Sequence, residues 1–98
     1  LGIAYGKLGD LKKAYTTFRE ANLHGLETVD LYNNWGIIAF ELGQTQKALQ
    51  YFQKALALNP NHPESHNNLG LAYGKLGMTQ KARQEMATAM RLKQLQKQ

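Results

Sequence analysis

The chain has 98 residues, 43% of them hydrophobic and 19% charged, which is one domain's worth: enough for a shared core and too few for two independent ones. It has no cysteine, which excludes disulfide frameworks and thiolate chemistry, and no apolar run approaches the roughly 20 residues of a membrane-spanning helix. The net charge of +5 is local, because the charges of residues 1–74 cancel and the excess comes from Lys75, Lys81, Arg83, Arg91, Lys93 and Lys97 against Glu85. Cations there complement a helix C-terminus, with a docking site for an acidic partner as the alternative.

The first predicted element, a helix over 1–8, carries the most informative feature of the chain. Leu1 to Gly9 returns as Leu69 to Gly77 with only Ile3 changed to Leu71, and a looser copy, Trp35 to Gly43, stands halfway. A period of 34 residues is the mark of a repeat array and argues against an enzyme active site. Leu8 followed by Gly9 reads as a last core contact and a left-handed cap. A second helix over 11–24 follows, with Asp10 as its N-cap and Ala14, Phe18 and Ala21 along one stripe. Gly25 stops it.

The third helix, 29–42, starts after Thr28 and ends at Leu42 and Gly43. The fourth, 46–59, has Thr45 as its expected cap and repeats the small, large, small stripe as Ala48, Phe52 and Ala55; Pro60 ends it. The fifth, 63–76, begins with Pro63 after His62, and the sixth, 80–95, follows Thr79 and carries Ala82, Met86 and Ala89. Gly2, Gly36 and Gly70 stack in register inside the odd-numbered helices. Each costs roughly 0.5–1 kcal/mol of helix stability against alanine, so a close helix approach is expected at each.

Rival chemistry finds little support in these residues. His62 and His66 are four apart, a spacing that suits a metal on one helix face, but no cysteine or third histidine completes a site, and no metal or cofactor is expected. Gly70, Gly74 and Gly77 fall inside a helix with no preceding strand and no Gly-Lys-Ser/Thr ending, so they do not form a phosphate loop. The single serine, Ser65, stands in no evident catalytic constellation, and no catalytic residue is assigned.

Helix, short turn, helix at this period, with Leu69, Gly70 and Tyr73, then Ala82 and Met86, and in the middle copy Ala48, Phe52, Ala55 and Pro60, closely resembles the tetratricopeptide repeat family. The resemblance covers essentially the whole chain. Departures are Ala39 at the motif's tyrosine, Trp35 at its leucine, Tyr32 and His66 at its tryptophan, and Leu26 at its first proline. It implies an all-α fold, a right-handed superhelical stack of antiparallel helix pairs (an α-solenoid) of about six helices. Residues 1–98 would form a single domain, with an incomplete repeat over about 1–28 and complete ones over 29–62 and 63–96, as in a chain cut inside a repeat.

The resemblance further implies a concave groove, lined by the first helix of each repeat, that binds peptides or protein surfaces. Carried over residue by residue, its inward positions here are Ile3, Gly6 and Lys7, then Asp30, Asn33, Asn34, Ile37 and Glu41, then Glu64, Asn67, Asn68, Leu71 and Lys75, with Phe40 adding apolar contact. The asparagines recur at the repeat period, and each offers a carbonyl acceptor and two N–H donors for an extended peptide's main chain. Chaperone-binding members clamp a carboxylate with a Lys, Asn, Asn, Lys, Arg pattern. Here Ile3 falls where asparagine is needed, Glu64 replaces lysine and Asn68 replaces arginine, so that clamp is not carried over.

The function expected is a noncatalytic protein-interaction module with a protein or peptide ligand, no nucleic acid and no membrane insertion. Alternatives are a scaffold that self-associates through its end helices and the substrate-recruiting arm of a larger enzyme.

Overall fold

A computed structural model describes the backbone of residues 2–97 and the side chains of residues 9–97. Its regular structure is entirely helical: α1 (Gly2–Leu23), α2 (Val29–Glu41), α3 (Thr45–Leu58), α4 (Pro63–Lys75) and α5 (Thr79–Gln96). Each helix packs on the next in sequence, and α2 also meets α4. Connections of three residues fold α2 back on α3 and α4 back on α5 as antiparallel pairs.

The turns follow from particular residues. Gly43 and Gly77 adopt left-handed backbones, φ +83° and +79°, which place their own N–H and the next one over the helix end they close. Gly43 N–H bonds Phe40 O at 3.0 Å and Gln44 N–H bonds Ala39 O at 2.8 Å; Gly77 and Met78 repeat this on Gly74 O (3.1 Å) and Tyr73 O (2.9 Å). Carbonyls that a helix end would leave open are thereby satisfied. At the other ends, Thr28 Oγ1 accepts the Leu31 N–H at 3.0 Å to start α2, and His62 Nδ1 lies 3.3 Å from the Ser65 N–H at the start of α4, where Pro63 takes the first turn. Thr45 and Thr79 do not cap: each is the first residue of its helix, and Gln44 and Met78 precede them without a side-chain cap bond.

The first repeat departs from expectation. Residues 2–23 form one helix instead of two, and Gly9 lies within it. The middle and last repeats turn at Gly43 and Gly77 because a long first helix gains a packed partner when it folds back. Five helices result where six were expected. Gly2, Gly6 and Leu8 lie outside the described side chains.

The core forms between paired helices through the alternation of small and large residues. Ala39, Ala48, Phe52, Leu69 and Ala72 make one buried cluster, and Ala82 and Ala89 are buried against α4. Gly36 and Gly70 are the closest points of approach. A Cβ on Gly36 would collide with the Phe52 ring, 2.6 Å from Cδ1, and one on Gly70 would stand 2.9 Å from Met86 Cγ and 3.1 Å from the Ala82 carbonyl oxygen.

α1 is joined to α2 and α3 by aromatic contacts. Trp35 stacks on Tyr51 at 4.1 Å between centroids and receives Tyr15 edge-on at 5.7 Å, while the Tyr15 and Tyr51 hydroxyls hydrogen-bond at 3.0 Å. Burial pushes the Tyr51 hydroxyl well above its ordinary pKa, and the bond to Tyr15 adds to the shift. Burial likewise raises that of Tyr32, which stacks on Trp35 at 6.5 Å. Both stay neutral at physiological pH. The indole Nε1 of Trp35 is buried with no hydrogen-bond partner among the described residues, so this tryptophan contributes by packing.

Two glycines should respond oppositely to alanine. Gly36→Ala should lower stability by about 1–3 kcal/mol, the usual cost of overpacking, because the added Cβ would stand 2.6 Å from Phe52 Cδ1 and displace the ring from its packing. Gly74 is helical and its Cβ would meet only Ala82 Cβ at 3.9 Å, so Gly74→Ala should raise stability by about 0.5–1 kcal/mol. Urea denaturation followed by circular dichroism measures both. A stabilised Gly36→Ala would show that the close approach is not what sets this packing.

Candidate functional site

Because α2 and α4 are first helices of successive repeats, side chains 34 residues apart stand side by side on them. The row of Asn34 and Asn68 is followed one turn on by Ile37 and Leu71, and then by Glu41 and Lys75. Between the two helices lies a cavity of about 230 Å³ lined by Ile37, Phe40, Glu41, Asn68 and Leu71, with Phe52 of α3 as its floor. Leu71 keeps 45% of its surface exposed. Five residues assigned to the groove from sequence thus meet around one apolar hollow.

Phe52 had been assigned to the core alone. The signal for its second role was Gly36: where the inner helix has no side chain, the outer helix's ring is the surface lying beneath.

The asparagines are not equivalent. Asn33 is buried, and its Oδ1 accepts from both Ser65 Oγ and Asn68 Nδ2 at 3.0 Å each. Asn34 is exposed, and Asn67 and Asn68 are half-buried. Asn33 therefore ties α2 to α4, while Asn68 keeps Oδ1 and the second N–H of Nδ2 after giving one N–H to that tie. Lys75 is exposed and outside the cavity lining. Ile3 and Lys7 lie outside the described side chains.

Ser65, His62 and Glu64 come together in a way their sequence positions did not suggest. Ser65 Oγ is 2.7 Å from His62 Nδ1, and His62 Nε2 is 3.5 Å from Glu64 Oε2. The trio has the composition of a hydrolytic triad and lacks its access. Ser65 is completely buried and touches Asn33, so no substrate carbonyl can reach its oxygen. It acts as a polar brace between repeats. His66 is a second brace, with Nδ1 3.0 Å from Glu85 Oε2 and Nε2 2.7 Å from the Pro60 carbonyl oxygen. Both histidines are thereby engaged in separate contacts, and among the described residues no group of three or more His, Cys, Asp or Glu could hold a metal.

Charge around the cavity is set by helix ends as well as side chains. Glu41 is the last residue of α2, where the helix dipole is negative and the last turn holds no basic side chain; the corresponding place on α4 holds Lys75. Among the described residues Glu41 takes part in no ion pair. No described helix is long and apolar enough to cross a membrane.

Comparison with known proteins agrees with this geometry. Family models described as "TPR repeat" and "Tetratricopeptide repeat" match residues 36–77, and residues 1–22 and 63–94, respectively. No curated protein matches the chain in sequence. Among solved structures, that of MamA superposes with a TM-score of 0.83 at 21% identity over 98% of this chain and 56% of that one. The second TPR of Spaghetti (RPAP3), bound to the HSP90 peptide SRMEEVD, superposes with a TM-score of 0.81 at 19% identity over 93% of this chain and 84% of that one. The chain spans little more than half the length of the MamA chain, and at these identities the likeness is one of fold.

Removing the Ser65 hydroxyl should loosen the inter-repeat tie. Ser65→Ala should destabilise the protein by about 1–3 kcal/mol, the cost of leaving buried polar partners unsatisfied, measured by thermal denaturation. An unchanged melting temperature would show that Asn33 and His62 do not depend on it.

Proposed function

The chain belongs to the tetratricopeptide repeat family, and from that membership we propose that it is a noncatalytic protein-interaction module whose concave face takes an extended peptide or a partner helix. One observation carries the reading: Ile37, Phe40, Leu71 and Phe52 surround an apolar hollow between the two inner helices, with Asn68 and Glu41 beside it. An apolar hollow with a few polar groups at its edge suits a side-chain anchor flanked by main-chain hydrogen bonds. Asn34 is free for such bonds, and Asn68 offers Oδ1. Asn33 and Asn67 contribute behind them, Asn33 by holding Asn68 in place. Lys75 stands with Glu41 in the far row, and Ile3 and Lys7 belong to the groove by register alone. The RPAP3 domain bound to an acidic chaperone peptide supports peptide binding by this fold. The ligand of this chain differs in our reading, since Glu64 and Asn68 stand where a carboxylate would need cations.

A second reading, self-association end to end, is favoured by the outer face of α5. Leu56 of α3 is half-buried in the core cluster that α4 completes, whereas Met90, its counterpart one repeat later, is 64% exposed. A helix from a second copy could cover that face as α4 covers α3.

For the groove, a peptide array followed by fluorescence polarisation on its strongest binder supplies the test. Replacing both Asn34 and Asn68 with alanine should weaken binding about tenfold or more, from two lost hydrogen bonds of about 1 kcal/mol each, with helical circular dichroism unchanged. Undiminished affinity would defeat the role given to these asparagines. For self-association, light scattering should show a mass that rises with concentration and falls back in Met90→Lys; a strict monomer at every concentration would remove this reading.

A further inference from the structure

We propose that the ligand of this groove is a basic peptide: a bulky aliphatic or aromatic anchor enters the cavity and an adjacent lysine or arginine meets Glu41. The inference rests on the groove reading above and names the chemistry that the same site selects.

Among the described residues, the one charged side chain in the cavity lining is Glu41, which is acceptor-only when ionised. Asn68 gives one N–H of Nδ2 to Asn33 Oδ1 at 3.0 Å and keeps Oδ1 and the second N–H, so the charge preference of the lining is set by Glu41. The rest of the lining, Ile37, Phe40, Phe52 and Leu71, is apolar. A ligand matched to this surface brings hydrocarbon for the hollow and N–H donors for its edge. A carboxylate brought there would face the Glu41 carboxylate.

Position along the helix adds a second, independent reason. Glu41 sits at the negative end of the α2 dipole with no basic residue in the last turn, whereas α4 has Lys75 at the same register. An exposed carboxylate there faces the partial negative charge of the helix end. A ligand cation relieves that repulsion and pairs with the carboxylate at once. Lys75, outside the cavity lining, leaves the anchor's immediate neighbourhood acidic. The chain's cationic excess lies on and beside α5, so the overall charge of +5 does not describe this hollow.

The test uses three fluorescein-labelled peptides of equal length, each with a central leucine, flanked respectively by lysines, by serines and by glutamates, measured by fluorescence polarisation at low ionic strength. The lysine-flanked peptide should bind about five- to tenfold more tightly than the glutamate-flanked one, the range expected when a partly exposed attraction is exchanged for a repulsion, with the serine-flanked peptide between. Added salt should shrink the difference. Glu41→Gln should remove most of it and Glu41→Lys should reverse it, with the circular dichroism spectrum unchanged in both. Equal affinity for all three peptides would overturn this inference and leave the groove reading standing. A preference for glutamate would overturn it too and move charge selection to Lys75. Failure of all three to bind would count against the groove reading itself, and this inference would fall with it.

Discussion

Everything in this molecule depends on how closely the paired helices approach. At Gly36 and Gly70 the inner helix lacks a side chain, and Phe52 or Met86 from the outer helix occupies the vacated space. Such contact is possible only when glycine and knob face each other across the pair, so the contact sets the depth of packing and the rotational phase of each helix together. The flanking alanines, Ala48 and Ala55 on α3 and Ala82 and Ala89 on α5, are buried because they lie one turn to either side of the knob. Close packing of this kind tolerates little change in volume.

Once that phase is set, the hollow between α2 and α4 follows. Turning the glycine face of α2 and α4 toward the outer helices turns Asn34, Ile37 and Glu41, with Asn68 and Leu71, toward the other side. The closeness that packs the core also brings the Phe52 ring up to the base of the cavity, so one side chain belongs to both the core and the site. Polar ties between repeats add to the apolar core, which itself reaches across them through Leu69 and Ala72. Asn33, Ser65 and His62 form a buried polar brace, and His66 bridges Pro60 and Glu85. Apolar packing is tolerant of sliding, whereas buried hydrogen bonds hold only when their geometry is met, so these braces fix the register of one repeat on the next and with it the rows of the groove.

The first repeat shows what happens where packing is thin. Trp35 takes the place that Leu69 holds a repeat later, and its larger ring stacks with Tyr51 and receives Tyr15 from α1. That aromatic cluster joins α1 to α2 along its second half. The helix continues through Gly9.

The sequence by itself determined the period, the glycine caps at Gly25, Gly43 and Gly77, and the small and large stripe of the outer helices, because each depends on local backbone preference or on helical periodicity. Three matters were decided by the tertiary structure alone. Nearly the same nine residues end in a turn at Gly77 and continue as helix at Gly9, since a turn forms only where folding back buries enough surface to replace the broken bonds. Asn33 is buried and Asn34 exposed, although both lie near the groove face, because the neighbouring repeat supplies Ser65 and Asn68 on one side only. Ser65, unremarkable in sequence, joins His62 and Asn33 through contacts of which one spans 32 residues. Local pattern decides which side a residue faces, and only the neighbour that arrives there decides whether it is buried, bonded or free.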